Sequence, residues 1–142
     1  GPKSQEFSNF LQQKSGTVRQ HVHDLGIVPD DEKMSVFNSC DIFAMPSRSE
    51  SFGIVYLEAW LHKKPVIGCN IEAVKNLIDH NENGLLVKFE NIDELVLAIK
   101  KLLNSTVREK LGFEGYKKLV QNYDSDKLCK NFENICISTI KN

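Results

Sequence analysis

Apolar positions along the chain follow two patterns that alternate: short unbroken runs, and longer stretches with apolar residues three and four apart. The runs Ile42 to Met45, Pro65 to Gly68 and Leu85 to Phe89 are bounded by Asp, Pro, Gly or Asn, which predicts buried strands. Thr17 to Asp24, β-branched and His-rich in alternation, reads as a fourth strand near a sheet edge. Helical spacing fills the rest. Lys3 to Lys14 carries Phe7, Phe10 and Leu11 and stops at Ser15-Gly16; Asp30 or Asp31 caps a helix with Met34, Val36 and Phe37 that ends near Ser39. From about Phe52 a helix places Ile54, Leu57 and Leu61 inward with Val55 and Ala59 alongside. A short helix is expected over Glu72 to Asp79, and one from Asp93 with Leu95, Val96, Ile99, Leu102 and Leu103 inward. Two more cover Val107 to Asn122 and Ser125 to Ile140, the last with Leu128, Phe132, Ile135 and Ile140 on one side.

Strands alternating with helices at this spacing predict right-handed crossovers and a mostly parallel sheet. The fold class is therefore α/β, a Rossmann-like three-layer α/β/α arrangement. With 142 residues, 41% apolar and 26% charged, the chain fits one ordinary soluble domain with a real core. A formal charge of −1 with no basic stripe argues against nucleic acid as a partner. No membrane span or signal peptide is read in these residues, so membrane contact is not expected from them. Cys40, Cys69, Cys129 and Cys136 form no C-x-x-C pair and read as reduced thiols of a cytoplasmic protein. Asn104-Ser105-Thr106 is then a chance sequon. His21 and His23 could share one face of a strand, but no third ligand lies near them, which favours a structural or solvent-facing role over a metal site.

The chemistry concentrates after the run Ile42 to Met45. Pro46 ends that strand, and Ser47 to Gly53 is small or polar apart from Phe52 before the next helix begins. A loop there, at the carboxyl end of a parallel strand, gathers unpaired amides and the positive end of a helix dipole, which together favour an anion such as phosphate. Glu50 precedes the helix, and Glu58 lies about five residues past Gly53, placing its carboxylate roughly 7–8 Å along the axis. An anion between two carboxylates is repelled unless the acids point at hydroxyls. A sugar on one side of a pyrophosphate and a ribose on the other supply them, which describes a nucleotide-diphosphate sugar.

Glu50-x7-Glu58 with Phe52-Gly53, following Pro46-Ser47 and running into Glu58-Ala59, resembles the donor-site motif of family 4 retaining glycosyltransferases (glycosyl transferases group 1, GT-B fold). Lys64-Pro65-Val66-Ile67 and Asn83-Gly84-Leu85-Leu86-Val87 fit the same family at the expected distances. The resemblance implies that Glu50 faces the transferred sugar as the catalytic residue. It further implies that amides of Ser51, Phe52, Gly53 and Ile54 hold phosphate oxygens, that Glu58 binds ribose, and that backbone at Gly26, Ile27 and Val28 lies against the base. A turn into the next helix explains Leu25 to Pro29 equally well. UDP- and GDP-sugars are both compatible, no metal or other cofactor is implied, and the acceptor would be a glycan or lipid in polysaccharide biosynthesis. Residues 1–142 would be a partial C-terminal nucleotide-sugar-binding domain, one half of a GT-B architecture with its first strands and the N-terminal acceptor domain absent. Such a fragment is expected to be inactive alone, and the complete enzyme to be cytoplasmic or peripheral at the inner membrane face.

Glu72-Ala73 and Asn76 stand where the family usually has a Gly-Gly segment and a Glu beside sugar and acceptor, which reshapes that side of the site. Ser51 stands where Gly is frequent. Two other readings remain open: a nucleotide-sugar-binding module without activity, and a nucleotide-sugar epimerase of the same architecture. A glycosidase pair is disfavoured, because an acid on a helix's second turn is better placed to hold ribose than to move protons. No P-loop, Gly-x-Gly-x-x-Gly, Gly-x-Ser-x-Gly or His-Glu-x-x-His occurs.

Overall fold

The computed structural model describes residues 5–122, which fall into two compact units divided between Val36 and Phe37. In the first unit, α1 (Gln5–Gln12) stacks Phe7 on Phe10 with ring centroids 6.5 Å apart, and neither α1 nor α2 (Gly16–Arg19) buries a residue. The strand expected over Thr17 to Asp24 is not there. Ser15, which ends the approach from α1, also starts a new helix: its side chain accepts the Val18 amide and caps α2. A local cap within reach outweighs the β-branched alternation of Thr17 and Val18, which would need a neighbouring strand to be worth anything. The helix α3 (Asp30–Ser39) opens with Asp30, Asp31 and Glu32 in its first turn, complementing the helix dipole.

The second unit holds a parallel sheet of three strands in the order β1 (Phe43–Met45), β2 (Val66–Cys69), β3 (Leu85–Val87). Phe43 pairs with Val66, and Ile67 with Leu85. Every residue of the central strand β2 is buried, as a strand covered on both faces requires. Its alternating side chains feed two cores. Val66 joins Phe37, Tyr56, Ala59, Trp60, Val74 and Ile78; Ile67 joins Leu85, Val87, Ala98, Leu102 and Leu111. The crossovers are α4 (Ile54–Leu61) and the single turn α5 (Glu72–Lys75), shorter than expected because Leu77 and Ile78 leave the helix to enter the core. Then come α6 (Ile92–Leu102) and α7 (Ser105–Asn122). Asn104 Oδ1 accepts the Val107 amide 3.2 Å away, so the apparent sequon is a helix cap.

Two inward faces differ from expectation. On α4, Tyr56, Ala59 and Trp60 are buried while Ile54 and Leu61 are 63% and 51% exposed. The helix turned toward the side that buries two aromatic rings rather than two aliphatic chains, the larger apolar gain. On α6, Leu95, Ala98 and Leu102 face the core, and Val96, Ile99 and Leu103 are exposed. Here Ala98 matters because it is small, letting the helix lie close to β3. The helix expected over Ser125 to Ile140, with Cys129 and Cys136, lies outside the described residues. Among the described residues no helix is long and apolar enough to cross a membrane.

Trp60 ties the layers together. Its indole N–H donates to the Asn83 carbonyl at 3.1 Å, and its ring lies against Gly115 of α7 so closely that a Cβ there would sit 2.2 Å from the indole. Only glycine permits that approach.

Candidate functional site

The motif loop starts at the carboxyl end of β1, where the Met45 carbonyl accepts two hydrogen bonds. One comes from the Ser47 amide at 2.8 Å and the other from the Tyr56 hydroxyl at 2.6 Å. The second bond joins the end of the strand to the first turn of α4. Tyr56 is fully buried. Burial, then the charge of Glu50 and that of Cys69, push its phenol up to about 12. Since the folded state holds this proton more tightly than the unfolded state, the contribution is complete below pH 10 and is lost as pH rises toward 12. The advantage of the parent chain over Tyr56→Phe in urea unfolding should therefore shrink by on the order of 2 kcal/mol between pH 9 and pH 12. A constant advantage would mean that the phenol ionises equally easily in both states.

Gly53 is the N-terminal cap of α4 and holds φ +83°, the left-handed region. A Cβ there would meet Tyr56 Cδ2 at 2.8 Å and Leu77 Cδ2 at 3.1 Å, so both backbone angle and space require glycine. The loop amides are not all open, contrary to the sequence expectation. Glu50 Oε1 accepts the Ser51 amide at 3.0 Å and the Gly53 amide at 3.2 Å. An acid three residues before a helix cap can reach back onto these donors, a contact that motif spacing alone did not suggest. Phe52 is half-exposed. Beyond it, α4 carries Ile54, Glu58 and Leu61 on one stripe, at positions i, i+4 and i+7, opposite the buried Tyr56 and Trp60. Glu58 is thus turned away from the core.

The structure therefore brings Glu50, Ser51, Phe52, Gly53 and Ile54 together at one strand end, with Glu58 one turn farther along the helix. Gly26, Ile27 and Val28 belong to the first unit. There Gly26 has φ +65° and donates its amide to Asp24 Oδ1 at 3.0 Å, a tight turn that leaves Ile27 78% exposed. His21 and His23 are exposed, with His21 Nε2 3.3 Å from the Gln20 side-chain amide. Sequence reasoning overlooked Tyr56, whose only signal was one phenol in an otherwise apolar helix face. An Asp-x-Asp spacing, expected to be absent, does occur at Asp124-Ser125-Asp126, which lies outside the described residues.

A cleft of about 520 Å³ lies elsewhere, lined by Asp79, Asn83, Glu114, Lys117 and Lys118 among others. It sits before β3, at the amino ends of the parallel strands, and four of its charges pair with each other: Lys118 with Asp79 at 2.6 Å and Lys117 with Glu114 at 2.7 Å. Ligands of open α/β sheets sit at the carboxyl ends, where the Glu50 loop is.

Comparison with known proteins gives the same direction. An uncharacterised glycosyltransferase of Methanocaldococcus jannaschii is 30% identical over 119 residues, covering 83% of this chain and 30% of that protein. Among solved structures, the C-terminal domain of the group 1 glycosyl transferase LpcC of Francisella tularensis superposes with a TM-score of 0.74 at 26% identity, over 88% of this chain and 66% of that one. Anabaena HepE in complex with UDP superposes with a TM-score of 0.82 at 22% identity, over 94% of this chain and 37% of that one. The fold is that of the C-terminal half of a GT-B glycosyltransferase, and the chain spans about a third of the length of the curated relatives it matches. Residues 1–122 match the profile of glycosyl transferases group 1, and the chain belongs to that family.

Proposed function

We propose that the chain is the donor-binding half of a retaining glycosyltransferase. It would hold a nucleotide-diphosphate sugar whose hexosyl group passes to a glycan or lipid-linked acceptor bound by a domain outside these 142 residues. The observation that carries this is the loop of Glu50 to Ile54, set at the carboxyl end of β1 by the Tyr56 to Met45 bond and opening onto the amino end of α4, with Glu58 on the outward stripe. Amides and helix dipole meet the diphosphate, Glu50 faces the sugar, and Glu58 takes the ribose hydroxyls. The reaction requires no metal, because helix dipole and basic residues outside this chain carry the diphosphate charge. UDP and GDP both suit this reading, since the Glu50 loop and Glu58 address the diphosphate, sugar and ribose rather than the base. The UDP complex of the HepE relative supports a nucleotide in a site of this fold. The reading has the reaction run in the cytoplasm, as reduced cysteines would suit.

Calorimetry of the chain with UDP, GDP and their hexose conjugates tests this; heats no larger than dilution for all of them would end the proposal. Glu58→Gln keeps shape and hydrogen-bonding capacity but removes charge-assisted bonds to the ribose, and donor affinity is expected to fall by about 1.5–3 kcal/mol. The same substitution should leave binding of inorganic pyrophosphate unchanged, since that probe has no ribose.

A further inference from the structure

The anion-binding amides of the Glu50 loop already hold an anion. One carboxylate oxygen, Glu50 Oε1, lies 3.0 Å from the Ser51 nitrogen and 3.2 Å from the Gly53 nitrogen, in front of the positive end of α4. A phosphoryl oxygen would use the same donors in the same way, through a charged acceptor and a helix N-terminus. Both cannot occupy the two amides at once. The geometry points to Glu50 as an internal competitor that makes the site distinguish a sugar-bearing donor from the spent nucleoside diphosphate. The inference rests on the donor-site reading above and deepens it by naming what the site selects against.

When a diphosphate enters, the Glu50 carboxylate must give up both amides while remaining next to new negative charge. A nucleotide sugar compensates, because its hexose hydroxyls supply donors to the displaced carboxylate. A nucleoside diphosphate without sugar brings no such hydroxyls, so the carboxylate is left repelled and its return to Ser51 and Gly53 favours release. The amides are held ready for that exchange by the frame beneath them. Gly53 is buried at positive φ against the Tyr56 ring, and the Tyr56 hydroxyl is fixed to Met45, so the Gly53 amide keeps its place while the Glu50 side chain exchanges. Glu50 thus acts twice on one substrate: it faces the sugar while the sugar is attached and replaces the diphosphate once the sugar has gone.

The test compares the affinities of the full chain and two variants for UDP, GDP, UDP-glucose and GDP-mannose by calorimetry. Glu50→Ala should bind the nucleoside diphosphates about tenfold tighter, the worth of removing one charged competitor from two amides. Its affinity for the nucleotide sugars should stay level or fall, so the preference for sugar-bearing ligand shrinks by at least that factor. Glu50→Gln, which keeps an oxygen near the amides but loses the charge, should move the same way by a smaller factor. It also serves where Glu50→Ala has a lowered melting temperature. Unchanged or weaker diphosphate binding in both variants would overturn the inference while leaving the donor site standing, and so would equal tightening for both ligand classes. Absence of binding by the parent chain to all four probes would instead remove the donor-site reading on which the inference rests.

Discussion

Trp60→Ala is expected to lower the free energy of unfolding by about 3–5 kcal/mol, the range for deleting a large aromatic side chain from a closed core. The indole is fully buried between β2, Asn83 and α7, and Gly115 leaves no side chain that could collapse into the vacated space. The loss goes beyond volume. The Asn83 carbonyl would lose its 3.1 Å donor inside the core, and an unmet buried acceptor adds about 1–3 kcal/mol unless water reaches it. Asn83 itself is 4% exposed and organises the turn before β3, accepting the Asp79 amide at 2.9 Å and donating to the Asp79 carboxylate at 2.6 Å. The damage should therefore spread from α4 to the Asp79 turn and the Lys118 ion pair, and hydrogen exchange at residues 79–86 should speed up along with that at α4. Ile92→Ala, at a position 73% exposed, should change unfolding by less than about 0.5 kcal/mol and serves as the control. Equal urea midpoints for Trp60→Ala and Ile92→Ala would mean that the α4 to α7 contact is not part of the cooperative core.

The sheet was legible because buried parallel strands advertise themselves as unbroken apolar runs between breakers, and all three lie where Ile42 to Met45, Pro65 to Gly68 and Leu85 to Phe89 predicted. The motif loop was legible for a related reason: a proline that stops a strand, then small polar residues, then helical spacing, leaves only one way for the chain to turn. What failed were features that depend on competition between alternatives. Thr17 to Asp24 has the residue types of a strand, but Ser15 offers a cap one residue away and the helical turn wins. On α4 the expected inward set was right for Leu57 and Ala59 and wrong for Ile54 and Leu61, because periodicity locates a stripe without saying which residues at its margins bury more surface. That error reached the site. With Tyr56 and Trp60 inward, Glu58 falls on the opposite side of the helix, where it is half-buried. The carboxylate of Glu50 on its own loop amides was not visible either, since the spacing that fits a sugar and a phosphate also fits an acid folding back on its own backbone.

Glu50→Gln in the complete transferase is expected to lower kcat by about 10²–10³, the usual cost of removing one electrostatic group that acts on charge developing in the transition state. In the proposed reaction positive charge builds at the anomeric carbon as the diphosphate leaves, and a carboxylate beside the sugar would stabilise that charge more than the bound donor. The donor KM should therefore move less than kcat, a split that uniform weakening of binding would not produce. Product behaviour adds a second, independent signature. If Glu50 also expels the spent nucleoside diphosphate, the slow variant should be inhibited by UDP or GDP at lower concentration than the parent enzyme, although its donor affinity has not improved. Glu58→Gln should show the reverse pattern, with KM raised and product inhibition relaxed, because the proposed ribose contact would be shared by donor and product. A Glu50→Gln enzyme with unchanged kcat would remove the acid from the chemistry and leave it only its place on the Ser51 and Gly53 amides.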